Sequence, residues 1–132
     1  MLFAKESKRL LSFQEIVEMF QRGENLFDIT IEKWERIRRS LAEAKDRRDM
    51  IPILENARTG GAFCLEYQNN CPLCPIQKWC RPPEGRYQNI MRFLYMFATS
   101  GELYFKEQAE REIDRFLSEM RKFKEELRQR LN

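Results

Sequence analysis

Ala109-Glu110-Arg111-Glu112-Ile113-Asp114-Arg115-Phe116-Leu117-Ser118-Glu119-Met120-Arg121-Lys122-Phe123-Lys124-Glu125-Glu126-Leu127 is the stretch that decides the fold class. Its apolar residues Ala109, Ile113, Phe116, Met120, Phe123 and Leu127 recur at spacings of 4, 3, 4, 3 and 4, the a/d pattern of a helix with one buried seam. Leu117 and Leu131 add to that face. About 28 helical residues span on the order of 40 Å, long for a small domain. Such a helix either runs along most of a bundle or extends to pair with another chain. Phe116, Met120, Phe123 and Leu127 are therefore the candidate self-association residues, with a coiled-coil homodimer or a protein partner as the occupant.

Working toward the N-terminus, Tyr87, Ile90, Met91, Leu94 and Phe97 form a broad apolar face over residues 86 to 98. Phe93, Tyr95 and Met96 widen it, which predicts a central helix ended by Ser100-Gly101. Thr30, Trp34, Ile37, Leu41 and Ala44 make another helical stripe, started by Asn25 and Asp28 and fading over residues 45 to 49. Pro52 is read as opening a short helix with Ile53 and Leu54, stopped by Gly60 and Gly61. A first helix over residues 13 to 22 carries a complete start signal. Ser12 and Glu15 form a capping box, and Leu11 and Ile16 form a hydrophobic staple.

The fold class expected is all-α: one domain over 1–132, a small bundle of about four to five helices, with a cysteine-rich knuckle inserted at 62–85, a short helical turn from Ala62 to Tyr67 and then knuckle-like turns to Gly85. With 132 residues there is room for one modest core and no large catalytic cleft. Charged residues at 34% and hydrophobic residues at 42% place the chain among soluble globular proteins. The absence of histidine excludes histidine triads, HExxH sites and Cys2His2 fingers. No apolar run reaches transmembrane length, and the opening Met1-Leu2-Phe3-Ala4-Lys5-Glu6 lacks the zones of a secretory signal. The expected location is cytoplasmic, with no membrane partner.

In that compartment, four close cysteines point to metal rather than to disulfides. Cys64, Cys71, Cys74 and Cys80 stand with six, two and five residues between them. The inner Cys71-Pro72-Leu73-Cys74 lets two thiolates reach one ion from a tight turn. Four thiolates favour a closed, structural Zn2+ site, with an iron–sulfur cluster or disulfides as the alternatives. A thioredoxin-like role fits poorly, because no βαβ pattern surrounds the pair and Pro75 follows Cys74. A proline-rich segment of this length is expensive to order, and metal binding can supply that free energy.

The net charge of +3 is mild, yet residues 58 to 92 hold Arg58, Lys78, Arg81, Arg86 and Arg92 against Glu66 and Glu84. Lys78, Trp79, Arg81, Arg86 and Tyr87 are the candidate nucleic-acid-binding residues, cations to grip phosphate and rings to stack on bases. Trp79 has an equally direct use as a cover for the sulfurs. No catalytic residues are assigned. Ser12 is a cap, Gly60-Gly61 a helix stop, and Glu110 with Asp114 a like-charge pair without a histidine partner.

The run Gly61-Ala62-Phe63-Cys64, then Cys71-Pro72-Leu73-Cys74-Pro75-Ile76, Cys80, Pro83 and Tyr87, resembles a family of small uncharacterised phage and archaeal helical proteins. Their run is CALC, a spacer, C-x-x-C-P-[IL] and a later cysteine. Ile31-Glu32-Lys33-Trp34 resembles the helix before it, so the likeness covers residues 31 to 87. Gly61 replaces the first cysteine of the CALC run. The resemblance implies a virus-associated or mobile-element protein and no reaction. The function expected from all of this is non-enzymatic macromolecular binding, stabilised by a Zn(Cys)4 site and acting through protein contact or self-association. Nucleic-acid binding through the basic, aromatic knuckle is the alternative.

Overall fold

The computed structural model describes residues 9–68 and 70–131. The opening Met1–Glu6, read above for a secretory signal, lies outside them. In chain order the helices are α1 (Phe13–Gln21), α2 (Leu26–Glu43), α3 (Arg47–Arg58), α4 (Ala62–Glu66), α5 (Gln77–Cys80), α6 (Arg86–Ser100) and α7 (Leu103–Leu131). A 3-10 turn at Cys71–Leu73 sits between α4 and α5. Among the described residues no helix is long and apolar enough to cross a membrane.

The long helices start where capping chemistry allows. The Ser12 hydroxyl accepts from the Glu15 amide at 3.1 Å, and the Glu15 carboxylate accepts from the Ser12 amide at 2.9 Å. Leu11 and Ile16 close the staple, both buried. Asn25 accepts from the amides of Phe27 and Asp28 at the head of α2. Gly101, left-handed with φ of 73°, ends α6.

α3 corrects the reading of Pro52 as a helix start. Asp46 caps it in a box with Asp49, the helix begins at Arg47, and Pro52 lies in its interior. Capping satisfies orphan amides at the true first turn, whereas Pro52 only removes a donor further in.

The core is one layer of helices wrapped on α7. Ala109, Ile113, Phe116 and Met120 are buried against α2 and α6, and α3 covers the other side of that pair. From α2 come Trp34, Ile37, Leu41 and Ala44. Two ion-pair clamps flank the seam. Arg38 on α2 reaches Glu110 at 2.9 Å and Asp114 at 2.8 Å, which answers their like charge. Arg86 on α6 holds Glu112 at 2.8 Å and Glu119 at 3.1 Å.

Residues 62–85 are where the expected architecture is overturned. The helical turn expected over residues 62 to 67 is present as α4, but the turns after it include a 3-10 turn and α5, so there are more helical pieces than about four to five and, among the described residues, no zinc knuckle. The backbone closes on itself through successive turns: Asn70 to Tyr67, Leu73 to Asn70, Cys74 to Cys71, Gln77 to Cys74 and Gly85 to Pro82. Three side chains anchor those turns in the main core, Phe63, Ile76 and Trp79. Hydrophobic burial and local hydrogen bonds thus supply the ordering free energy that the sequence reading assigned to a metal.

Trp79 is the largest side chain of that segment to enter the core, edge-to-face with Phe116 at 6.5 Å and Phe123 at 5.3 Å. Trp79→Ala is expected to lower stability by about 3–5 kcal/mol, the range for a buried aromatic. Urea unfolding measures the loss, and amide exchange should show residues 71–85 opening before α6 and α7.

Candidate ligand-binding cavity

None of the four cysteines is bonded to another. All are free thiols. Among the described residues, no group of three or more His, Cys, Asp or Glu side chains is arranged to hold a metal ion. The zinc site at Cys64, Cys71, Cys74 and Cys80, its iron–sulfur alternative and its disulfide alternative are all overturned. Cys64 is exposed on α4, Cys71 is half-buried, and Cys74 and Cys80 pack against the core. Burial pushes the Cys80 thiol up to about 11, with Cys64, Cys74 and Cys71 adding to the rise. Burial raises Cys74 as well. Cys80 is therefore a neutral thiol at neutral pH.

The proposed nucleic-acid residues are not assembled into one face. The ring of Trp79 is in the core, and Tyr87 packs edge-on to Trp34 while its hydroxyl donates to the Ala57 carbonyl at 3.1 Å. Neither ring is free to stack on a base. Arg86 is committed to Glu112 and Glu119. The Lys78 ammonium lies 4.6 Å over the Trp79 ring and 4.7 Å over Phe123. Arg81 is exposed at the surface. The self-association residues are likewise spent inside the molecule: Phe116 and Met120 are buried in the bundle, and Phe123 packs on Phe27 and Trp79. Leu127 is half-buried.

What the structure assembles instead is a cavity of about 180 Å3 where α1, α2, the end of α3, α4, α5, α6 and α7 meet. Its floor is apolar: Ile16, Ile29, Trp34, Ala57, Phe63 and Phe116, all buried. Arg58, Gly60 and Cys64, which are exposed, also line it and mark its mouth at the α3–α4 turn. The wall is closed by rings in contact, Phe63 with Phe27 at 4.9 Å and Trp34 with Phe116 at 5.6 Å.

One polar side chain reaches into this space from within the core. Lys33 is 4% exposed. Its Nζ donates to the Thr59 carbonyl at 2.6 Å and lies 5.8 Å from the Trp34 ring centroid. Burial pushes the amine down to about 8, against an upward pull from the thiols of Cys64 and Cys80. Thr30 lines the cavity too, but its hydroxyl donates to the Leu26 carbonyl. Burial raises the Tyr87 phenol.

Sequence reading passed over Lys33, yet a signal was there. Leu26, Ile29, Lys33 and Ile37 follow one another at helical spacing beside the Trp34 stripe, and the lysine is the one charged member of that row. A lone cation in an apolar row is either a strand of packing with a snorkelling tip or a buried charge. The closing of α4 over α2 makes it the second.

Compared with protein-family models, curated proteins and solved structures, the chain finds no match.

Lys33 should leave a pH signature in stability. Its amine titrates at about 8 in the fold and at 10.5 as the ordinary value. Below pH 8 both states carry the charge and the fold bears the whole burial cost. Between those values the unfolded chain binds more protons, so stability rises with pH, and above them the cost is gone. Lys33→Met should therefore be more stable than the parent at pH 7 by about 2 kcal/mol, the burial cost less one lost hydrogen bond. The difference should fade as pH approaches 10.5. Cys80 titrates in the same range with the opposite sign, since its thiol is raised, and because the Lys33 charge acts on that thiol the two proteins are compared in a Cys80→Ser background. Paired denaturant titrations from pH 6 to 10.5 make the measurement.

Proposed function

We propose that this protein binds a small, largely apolar molecule in the Lys33 cavity, entering past Arg58, Gly60 and Cys64 and lodging against Trp34 and Phe116. The observation that carries the reading is a buried lysine amine lining an apolar cavity that opens to the surface. Burying an ammonium with incomplete partners lowers stability. A folding role alone would be better served by an apolar side chain at that position. A ligand group that accepts from Nζ gives the lysine a use.

Size narrows the ligand. An engineered apolar cavity of about 150 Å3 takes up benzene. A space of about 180 Å3 holds one ring or a short chain, about six to ten heavy atoms with the polar end outermost or on Lys33. Rings in mutual contact hold the walls before the ligand arrives, which limits the ordering cost of binding.

Binding without turnover is part of this reading. Cys80 and Tyr87, both raised by burial, stay protonated at neutral pH and so offer no base, and no carboxylate lines the cavity. Proton transfer to or from a bound molecule has no well-placed acceptor there besides Lys33 itself.

Toluene and 1-hexanol are suitable first probes. Saturable shifts of the Trp34 indole and of the amides of residues 59–62 are expected in two-dimensional NMR, with little change at α7 beyond Met120. Ala57→Leu, which places a larger side chain in the cavity wall, should weaken both probes by about tenfold or more. If neither probe gives saturable shifts at these residues up to the low millimolar range, the cavity is not a binding site and the reading fails.

A further inference from the structure

Resting on that reading of the cavity, we infer that its ligand is an anion, a small amphipathic carboxylate whose head group pairs with Lys33 and whose apolar tail fills the space against Trp34 and Phe116. The charge inventory points this way. Two formally charged side chains line the cavity, Lys33 and Arg58, and both are cations. No Asp or Glu is among the lining residues.

The valences of Lys33 agree. An ammonium has three N–H donors. Among the described residues Lys33 makes one hydrogen bond, to the Thr59 carbonyl, and its nearest ring, Trp34, is at 5.8 Å. Two donors are left on a buried cation. Cys80 cannot answer them as a counter-ion in the way a carboxylate would, since its thiol stays protonated at neutral pH. A carboxylate presents two oxygens to the two remaining donors, in a medium where charge-assisted bonds are strong. An alcohol satisfies one donor and leaves the charge unpaired, and an ammonium ligand meets repulsion from Lys33.

The position of the charges also orders the ligand. Arg58 is exposed at the mouth, so it draws an anion toward the opening without holding it once inside. Lys33 lies in the interior and selects it there. Fatty and aromatic acids of about eight to ten heavy atoms satisfy both the volume and the charge. Phosphate monoesters bring more acceptor oxygens than one ammonium can satisfy in an otherwise apolar space.

The test compares hexanoate, 1-hexanol and hexylamine, probes of nearly equal length, by calorimetry and NMR on the full chain at pH 7. Hexanoate is expected to bind about tenfold or more tighter than hexanol, and hexylamine not to bind measurably. Lys33→Met should invert the order, weakening hexanoate by about tenfold while hexanol binds as well as before or better. Arg58→Gln, on the rim, should change hexanoate binding by less than about threefold at physiological salt. Unfolding curves of both variants establish that each is folded. Equal affinity for hexanoate and hexanol in the parent, or an unchanged preference in Lys33→Met, overturns the carboxylate assignment while leaving the cavity as a binding site. Absence of binding by all three removes the cavity reading and this inference with it.

Discussion

A continuous run of aromatic contacts ties this molecule together. It passes from Phe63 on α4 to Phe27 on α2, to Phe123 on α7, to Trp79 on α5, back to Phe116 on α7, then to Trp34 on α2 and Tyr87 on α6. Each pair contributes about 0.5–1.5 kcal/mol beyond its buried area. The geometry matters more than the sum. These rings join the irregular middle of the chain to the two longest helices. They hold α4 and α5 over α2, and that roof encloses the cavity.

The same roof creates the electrostatic problem at Lys33. On an isolated α2 its amine would reach water. Once Phe63 and Trp79 are seated in the core, with Gly60 and Gly61 carrying the chain across, the amine is confined to one carbonyl and an apolar space. Burial then competes with ionisation, and the amine loses part of its affinity for the proton. Cys80, a protonated thiol at neutral pH, adds no counter-charge beside that amine.

Much of the helical framework was legible in the sequence, because helix signals are local. The stripe of Thr30, Trp34, Ile37, Leu41 and Ala44 is buried along its whole length, and Ser12 with Glu15 closes the box that their spacing implies. Errors arose where two local signals compete or where distance decides. Pro52 suggested a helix start, but Asp46 and Asp49 form a better one upstream. Cys71 and Cys74 stand at metal-ligand spacing, yet spacing does not fix the direction in which four sulfurs point. Lys78, Trp79, Arg81, Arg86 and Tyr87 are near in sequence but divide between the core, the ion-pair clamp and the surface. Arg86 finds Glu112 and Glu119 only because α6 lies against α7.

The sequence by itself determined that the chain is helical, where most helices begin and end, and which face of each long helix turns inward. Periodicity of 3.6 and capping pairs act over a few residues, so their message needs no partner element. Tertiary structure alone decided what fills the space between those faces: rings instead of a metal ion, and a lysine shut in beneath them. Burial is a property of everything that surrounds a group, and residues far apart in the chain supply it.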